Sequence, residues 1–495
     1  AGTITSGTSS VGIYINGGTL SQKSLMNVGA DETGIYTSEG TVNLNTGSVL
    51  NVTQTAGVGV YALNGTIVIN NGSLMLGNNG FGYVLKSGST LTNITDTSIG
   101  EGSIFVYGDG AGNITNNGIL TMNGSNGVGF YTVNGGTIQN TGNISGSSGV
   151  SNVGIYNENG VIINSGRIDL GDSVIIDKED STKNSYSIGI YGDNTVITNT
   201  GDMSLGYYGV GIYSKNAPSP VNNSGNISSS SEGVIGLFVE NGELQNTGNI
   251  LLSGNDSIGI YANKGSEVTN SGTITMNGEN STGIYLNLLS KVNNQGTINI
   301  NGNNSQGILL KGGSSILNSG TINVSGGVTG SETISYGGTS YPIPSIINAG
   351  IINVSENFEA KGIDILIKVD PTTIKAPSLG EDTGASFVSD AVKFYAPAFN
   401  TTEPIGIIPG FASGTHENVY KLKDVFNPFT TDQGGPDSGK VNVRSKSLTW
   451  RATPVVNERG NVDIWMEKIP YDNFTSGLWY EDFGKALDSK FTGSK

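Results

Sequence analysis

The stretch Ser257-Ile-Gly-Ile-Tyr-Ala-Asn-Lys-Gly-Ser-Glu-Val-Thr-Asn-Ser-Gly-Thr-Ile-Thr-Met-Asn-Gly-Glu279 contains one complete repeat of this chain. Apolar residues alternate in Ile258-Gly-Ile260 and again in Ile274-Thr-Met276, which is typical of short strands with one buried face. Turn residues separate these strands at Gly265-Ser266 and Asn270-Ser-Gly272, because Asn and Gly tolerate positive φ. Three short strands and three turns within about 24 residues predict one coil of a parallel β-helix.

Two motifs repeat along the chain in step with each other. Asn-x-Gly-x-Ile recurs every 24 residues, most regularly from Asn270, Asn294 and Asn318, and Gly-Ile-Tyr follows the same period. Helical repeats are excluded because they need ten or more residues with a 3.6-residue periodicity. A propeller blade needs about 40 residues, and a leucine-rich repeat needs a denser leucine framework than this sequence has. The sequence therefore predicts an all-β solenoid over residues 1–369.

The asparagine motif places one amide at the same point of successive coils. We expect these side chains to form a ladder, hydrogen-bonded from coil to coil at a bend, with ligand binding as the alternative. The predicted ladder members are Asn140, Asn164, Asn223, Asn246, Asn270, Asn294 and Asn318, and further copies of the motif begin at Asn116 and Asn199.

The Gly-Ile-Tyr motif predicts two more columns. The isoleucines are expected to point into the coil, at Ile13, Ile35, Ile155, Ile190, Ile212, Ile260 and Ile284. The tyrosines then form an outward stripe beside a glycine column, which either stabilises the coils by stacking or offers a platform for sugars or a protein partner. The predicted stripe contains Tyr14, Tyr36, Tyr61, Tyr131, Tyr156, Tyr191, Tyr213, Tyr261 and Tyr285, with Phe105 and Phe238 in register.

The period is interrupted by two insertions, near Asp172–Tyr186 and near Gly326–Pro344. Insertions in solenoids form loops on one face and often carry binding, although a tolerated surface loop is the alternative. The candidate binding residues are Asp172, Asp177, Lys178, Glu179, Asp180, Lys183 and Tyr186 in the first insertion, and Tyr336 and Tyr341 in the second.

Composition narrows the possible functions. The net charge of -16 argues against nucleic acid as a partner, because its binders show basic patches. The absence of Cys is compatible with export through an oxidising compartment. No apolar run approaches the ~20 residues of a membrane helix, and Ala1 is not followed by a signal peptide. Since the chain opens almost inside a repeat, we expect sequence to be missing at one or both ends.

Catalysis has little support in the sequence. The single histidine, His416, lies in a loop-like stretch, and the acidic residues are interpreted as scattered rather than aligned in adjacent coils. Metal-ligand spacings and phosphate loops are absent, so we predict no enzyme, no cofactor and no metal.

The composition changes after Asp370. Residues 370–495 contain nine of the 13 prolines and all three tryptophans, Trp450, Trp465 and Trp479. We predict a β-rich capping module here, because a solenoid needs a cap over the exposed edge of its last coil. Residues 471–490 are expected to begin an amphipathic helix.

The repeats, combined with the ending Trp479-Tyr-Glu-Asp-Phe483, resemble the passenger domains of fusobacterial type V autotransporter adhesins. The resemblance implies a right-handed parallel β-helix on the outer membrane, a C-terminal autochaperone-like cap, and a C-terminal passenger fragment without its translocating barrel. It also implies a monomer that binds a host-cell receptor or glycan, or a surface protein of partner bacteria, and meets the membrane only through the missing barrel. A non-binding stalk and a polysaccharide-acting enzyme remain as alternatives.

Overall fold

The structure is a computed structural model that describes residues 3–5, 9–178, 180–324, 329–330, 335–336, 339–340, 345–348, 351–354, 358–360, 364–368, 387–389, 393–396, 399–401, 405–408, 419–428 and 441–491. The chain divides into two compact units. The first contains Ala1–Val268 and Gly272–Ser281, and the second contains Thr269–Ser271 and Thr282–Lys495.

Each coil consists of three short strands joined by turns. In one coil of the first unit the strands are Val128–Val133, Thr137–Asn140 and Ile144–Gly146. All three pair in parallel with their equivalents in the next coil, where Val128 lies opposite Val153. The protein is a parallel β-solenoid of about 13 turns with about 24 residues per coil, so the predicted fold is confirmed.

The strands fall into three kinds by their position in the coil. Val11–Gln22 and Thr33–Leu44 each span the first and second positions. The first strands are Val58–Leu63, Phe81–Lys86, Ile104–Asp109, Val128–Val133, Val153–Glu158, Ile188–Asp193, Val210–Lys215, Ile235–Glu240, Ile258–Asn263, Thr282–Leu286, Gln306–Leu310 and Thr329–Gly330. The second strands are Ile67–Asn70, Thr90–Asn93, Asn113–Asn116, Thr137–Asn140, Val161–Asn164, Val196–Asn199, Val221–Asn223, Glu243–Asn246, Glu267–Asn270, Lys291–Asn294, Ser315–Asn318, Ser345–Asn348, Asp364–Lys368, Ile405–Ile408 and Val443–Ser445. The third strands are Ile4–Thr5, Leu25–Asn27, Val49–Val52, Ser73–Leu76, Thr97–Ile99, Leu120–Met122, Ile144–Gly146, Ile168–Leu170, Met203–Ser204, Ile227–Ser229, Ile250–Leu252, Thr273–Met276, Thr297–Ile300, Thr321–Val324, Ile351–Val354 and Lys393–Ala396.

The core of the coils is built from inward aliphatic columns. Ile35, Ile155, Ile190, Ile212, Ile260 and Ile284 are each at most 1 % exposed. Ile13 is only half-buried, because its strand Val11–Gln22 has a described partner strand on one side alone. Alternating residues of the second and third strands complete the same core. The side chains that face outward from these strands are therefore the ones available to a partner.

The Gly-Ile-Tyr segment departs from simple alternation. Gly154 and Ile155 are both buried, whereas the following Tyr156 is half-buried. The strand pairing skips the glycine. A Cβ on Gly154 would lie 2.5 Å from the carbonyl oxygen of Gly189 and 3.3 Å from Cγ2 of the core residue Ile168. The expected outward glycine column is therefore wrong: the glycines face inward, and a side chain at Gly154 would meet the backbone of the next coil.

Phe105 also lies elsewhere than expected. Tyr107 is opposite Tyr131 in the strand pairing, so Tyr107 occupies the tyrosine column and Phe105 takes the glycine position. Phe105 is fully buried, and its ring meets the rings of Tyr83 and Phe130 edge-on, each at 5.6 Å between centroids. The assignment of Phe105 to the outer stripe is therefore wrong, because the register follows Tyr107.

In the second unit, parallel pairing continues after residue 370. Asp364–Lys368 pairs in parallel with Ile405–Ile408, which pairs with Val443–Ser445. The long strand Val419–Pro428 then pairs in antiparallel fashion with Val462–Lys468. The predicted division at residue 369 stays a prediction, because residues 369–386 lie outside the described part.

The remaining elements of the second unit are short. Trp450–Val456 pairs antiparallel with Val462–Lys468, and Phe387–Ser389 pairs parallel with Val419–Pro428. Ser335–Tyr336 and Thr339–Ser340 form an antiparallel pair, and Phe358–Ala360 pairs parallel with Phe399–Thr401. The helices are Asp472–Thr475 and Glu481–Phe491 in this unit, and a 3-10 helix at Ser181–Lys183 in the first.

The three tryptophans have different environments. Trp450 is 6 % exposed and its ring centroid lies 5.5 Å from that of Tyr420, whereas Trp465 is half-buried. Trp479 is 94 % exposed, so it is not part of an aromatic core. None of the described helices is both long enough and apolar enough to span a membrane.

Candidate functional site

The asparagine columns form continuous hydrogen-bonded ladders within each unit. Asn164 accepts a bond from Nδ2 of Asn140 and donates to Oδ1 of Asn199 and to the carbonyl oxygen of Gly166, each at 2.8 Å. Its side chain is fully buried. The ladder members are Asn70, Asn93, Asn116, Asn140, Asn164, Asn199, Asn223 and Asn246 in the first unit, and Asn270, Asn294 and Asn318 in the second. This burial supports the structural interpretation of the asparagines over the ligand-binding one.

The tyrosine column of the first unit is a stack of half-buried rings. The centroids of Tyr131 and Tyr156 are 4.5 Å apart, those of Tyr156 and Tyr191 are 4.7 Å apart, and the rings of both pairs are nearly parallel. Burial, together with neighbouring Tyr131 and Tyr191, raises the pKa of Tyr156 to about 12. Because each ring covers its neighbour's face, the column presents ring edges and hydroxyls to solvent.

The stack has an exposed first ring, one pair of neighbouring rings that do not stack, and one coil without an aromatic ring. Tyr14 at its start is 66 % exposed. The rings of Tyr191 and Tyr213 meet at 74° instead of stacking, and Val84 replaces the tyrosine in one coil. In the second unit, Nζ of Lys311 lies 5.2 Å from the ring centroid of Tyr285. Ring faces are therefore accessible to a partner only at such breaks.

The first insertion folds into an anchored loop. Val174 and Ser185 form an antiparallel bridge that closes it. The Ser173 hydroxyl donates to the carbonyl oxygen of Tyr208 at 2.9 Å, and the backbone N–H of Tyr207 donates to Oδ1 of Asp172 at 2.8 Å. These bonds fix the base of the loop to the coil that follows it.

The charged residues of the loop are paired mainly with one another. Nζ of Lys183 lies 2.7 Å from Oδ2 of Asp177 and 3.3 Å from Oδ2 of Asp180. Nζ of Lys178 lies 2.9 Å from Oε1 of Glu232. Hydrogen bonds from the hydroxyl and backbone of Thr182 hold the pKa of Asp180 below its usual range. The structure thus groups Asp177, Asp180 and Lys183 in one loop, whereas Lys178 pairs with Glu232 outside it.

The other predicted binding residues do not belong to this group of ion pairs. Tyr186 is half-buried, and its hydroxyl accepts a bond from Nδ2 of Asn184 at 3.2 Å. Tyr336 lies in the strand Ser335–Tyr336. Glu179, Tyr341 and His416 lie outside the described residues.

Sequence reasoning missed two exposed apolar residues near the base of the loop. Ile176 is 72 % exposed and Val174 is 39 % exposed, on the same side of the extended segment. The signal was present as Val174-Ile-Ile176, an apolar run inside an insertion that is otherwise charged.

Sequence reasoning also missed exposed pairs of hydrogen-bonded asparagines at another turn of the coils. Asn159, Asn194, Asn216 and Asn241 all have φ between 49° and 62°, the left-handed conformation that Asn tolerates. Nδ2 of Asn194 donates to Oδ1 of Asn159 at 2.8 Å, and Nδ2 of Asn241 donates to Oδ1 of Asn216 at 2.9 Å. These side chains are exposed and line the turn between the first and second strands.

The interpretation of the acidic residues as scattered is wrong at one place. Glu158 and Asp193 are direct register partners in adjacent coils, which the insertion between them hides in the sequence. Asp193 is held by Nζ of Lys215 at 3.0 Å and by Nδ2 of Asn216 at 2.9 Å. Across the described part of the chain, no group of three or more His, Cys, Asp or Glu side chains could hold a metal ion.

A second exposed apolar surface lies in the second unit. Leu448, Phe474, Tyr480 and Phe483 line a groove beside the C-terminal helices. Leu448 is 85 % exposed and Phe483 is 63 % exposed. The sequence placed an amphipathic helix here but did not predict the groove.

Two regions of the chain are similar to known families. Residues 145–234, which include the insertion loop, match the model of the BigA third pectate lyase-like domain. Residues 382–470, which include the antiparallel strands, match the model of the BigA beta sandwich domain. No curated protein matches the chain. The two similarities indicate a surface-exposed bacterial protein of the adhesin or autotransporter kind.

Proposed function

We propose that this chain is part of an autotransporter passenger that attaches a bacterium to host cells or partner bacteria. The coils act as the framework, and the loop Asp172–Tyr186 contacts a protein receptor or a glycan. The similarity of residues 145–234 to a BigA domain and the anchoring of the loop within that region support this assignment. We further propose an outer-membrane location, with attachment through a translocating barrel.

The observation that carries the proposal is the exposure of Ile176 on a loop whose base is bonded to the next coil. Its side chain is 72 % exposed, although the loop around it is fixed by a backbone bridge and by paired charges. A pre-formed loop loses little conformational entropy on binding, so its exposed apolar side chain can contribute to affinity. Loops held on a rigid scaffold are where binding residues concentrate.

We propose that the chain acts without catalysis. Glu158 and Asp193 are adjacent, but the Lys215 ammonium group is paired with Asp193. A carboxylate held in an ion pair has a lowered pKa and is a poor general acid. Release of reducing or unsaturated ends from acidic polysaccharides would contradict this part of the proposal.

A stalk that only presents another domain is the second candidate. The unbroken asparagine ladder from Asn70 to Asn246 favours it, because repeated nearest-neighbour contacts are what an extended support needs. The two candidates differ in whether the isolated chain attaches to cells.

The deciding experiment removes residues 175–185 and joins Val174 to Tyr186. This restores the 24-residue spacing of the coils, where Asn164 and Asn199 are now 35 residues apart. The bridge between Val174 and Ser185 shows that the new ends lie close together. We expect unchanged thermal unfolding and a loss of attachment to host or partner cells. Full attachment by the shortened chain would contradict the proposal.

A matched pair of substitutions refines the test. Ile176→Ser changes the most exposed apolar side chain of the loop, and Ile163→Ser changes a side chain that is 41 % exposed on a neighbouring coil. We expect Ile176→Ser to weaken attachment by about tenfold, as loss of an apolar anchor does. Ile163→Ser is expected to bind like the natural chain. Equal effects of both substitutions would show that general surface polarity, not the loop, controls attachment.

A further inference from the structure

The outer face of the first strands carries two apolar columns in the first unit. One column is formed by the residues that begin these strands, and all of its members are apolar: Val58, Phe81, Ile104, Val128, Val153, Ile188, Val210, Ile235 and Ile258. The other is the tyrosine column from Tyr61 to Tyr261, which presents ring edges. Apart from Val84 and Val210, the side chains of both columns are half-buried. The two columns together form one continuous apolar face.

The size of this face matches one side of a stable protein interface. The face covers nine strands, which lie about 4.8 Å apart. A strand such as Val128–Val133 spans about 16 Å from its first residue to its last. The face therefore measures about 43 Å by 16 Å, and two such faces in contact would bury about 1,400 Å², which is within the range of specific interfaces.

A third column, mostly of charged residues, borders the apolar face. Its members are the last residues of the first strands, in chain order Lys86, Asp109, Val133, Glu158, Asp193, Lys215 and Glu240. Lys86 pairs with Asp109 at 3.3 Å and Lys215 with Asp193 at 3.0 Å, yet these four side chains remain between 22 % and 37 % exposed. They are therefore accessible to opposite charges on a partner.

The order of these charges is complementary to its own reverse. If two copies pack face to face with their coils running in opposite directions, their charged columns meet in reversed order. With Glu158 at the two-fold axis, Lys86 lies opposite Glu240 of the second copy, and Asp109 lies opposite Lys215 of the second copy. The symmetry forms each of these opposite-charge pairs twice. Glu158 meets its own equivalent, which is the one like-charge contact of the column in this register.

We propose that the first unit binds a second copy of this chain through the apolar face, with the coils of the two copies antiparallel. A uniformly basic partner would be repelled by Lys86 and Lys215, and a uniformly acidic one by Asp109 and Glu240, whereas a second copy matches both signs. The net charge of -16 opposes association, so the apolar area supplies the affinity and the charge order selects the register.

Sedimentation equilibrium of the full chain tests this arrangement. We expect the natural chain to dimerise, and Lys86→Glu and Glu240→Lys each to weaken the dimer about tenfold, because each reversal converts two opposite-charge contacts into like-charge contacts. The double variant exchanges the two charges and should recover the natural affinity to within about twofold. Glu158→Gln removes the like-charge contact and should strengthen the dimer.

The matched control is Glu243→Lys. It changes the net charge by the same amount as Glu240→Lys, but its exposed side chain lies on the second strand Glu243–Asn246, outside the apolar face. We expect this variant to dimerise like the natural chain.

Recovery in the double variant keeps the test independent of folding. Positions 86 and 240 are six strands apart in the first unit, a distance of about 29 Å, so their new charges cannot pair within one chain. The proposal is overturned by a natural chain that stays monomeric, by single reversals that leave the dimer unchanged, or by a double variant that loses the sum of both effects. Attachment to cells is measured separately, so any of these results would leave the proposed function of the loop Asp172–Tyr186 unaffected.

Discussion

The coils of the first unit and the antiparallel strands of the second hold buried polar groups in different ways. In the coils, each buried Asn makes the same bonds to the coil before and the coil after it, as Asn164 does. In the antiparallel strands, Asp463 is 2 % exposed and is held by three contacts that do not repeat along the chain, from the backbone N–H of Asp424, Nδ2 of Asn457 and Nζ of Lys421. The bonds of the buried asparagines therefore repeat from coil to coil, whereas the contacts of Asp463 occur once.

This difference decides how each region responds to a mutation. A coil residue has equivalents above and below, so its loss disturbs nearest neighbours and leaves the remaining coils intact. A residue in the antiparallel strands has contacts far along the chain, such as the bond between Asp424 and Asp463. Its loss is expected to weaken that whole group of strands.

The largest effect is expected at Trp450. Trp450→Ala removes a ring that is 6 % exposed and packs on Tyr420, so it should destabilise the antiparallel strands by about 3–5 kcal/mol. The matched control is Trp479→Ala, whose ring is 94 % exposed and whose loss should cost less than about 0.5 kcal/mol. Urea unfolding followed by the fluorescence of the two remaining tryptophans measures both, and similar shifts in the two variants would contradict this account of the packing.

The sequence predicted the coils well because their interactions repeat. Asn140, Asn164 and Asn223 each occupy the same hydrogen-bonded position, so the period alone identifies them. The glycine column was misjudged because its backbone skips a pairing position, as at Gly154, which simple alternation cannot anticipate.

The candidate binding loop could be located but not described from the sequence. Its position follows from the interrupted period, yet the ion pair between Lys178 and Glu232 joins residues 54 positions apart. No local pattern encodes such a contact. The adjacency of Glu158 and Asp193 was hidden for the same reason, since the intervening loop changes their separation in sequence.

Acid should weaken the antiparallel strands. Burial alone would raise the pKa of Asp424, but hydrogen bonds from Asn461 and Asn457 and the charge of Arg459 outweigh it and hold the pKa below its usual range. This stabilisation is present above the unfolded pKa of about 4 and is lost as the pH falls through the folded value. Asp424→Asn should therefore be less stable at neutral pH and lose less stability on acidification, as fluorescence-detected urea titrations at several pH values would show. An unchanged pH dependence in this variant would rule out Asp424 as a source of the effect.

Alkali should weaken the coils by a smaller amount. Burial raises the pKa of both Tyr156 and Tyr213 to about 12. Their contribution is fully present below the unfolded pKa of about 10 and is lost as the pH rises towards 12. Absorbance titration of tyrosinate should show a late-ionising group of tyrosines that becomes smaller in Tyr156→Phe. Ionisation of all tyrosines near pH 10 in the folded chain would contradict this prediction.

The repeated amide ladder is tested most directly by two neighbouring asparagines. The Asn223 side chain is 1 % exposed, accepts a bond from Asn199 and donates to Asn246 and Gly225, whereas the exposed side chain of Asn222 donates to the carbonyl oxygen of Pro220. Asn223→Ala should cost about 2–4 kcal/mol, because it leaves buried partners unsatisfied, and Asn222→Ala less than about 0.5 kcal/mol. Urea unfolding of the full chain, followed by far-ultraviolet circular dichroism, measures both. A large loss for Asn223→Ala alone is the predicted result, and equal stability of the two variants would contradict the claim that the buried ladder holds the coils together.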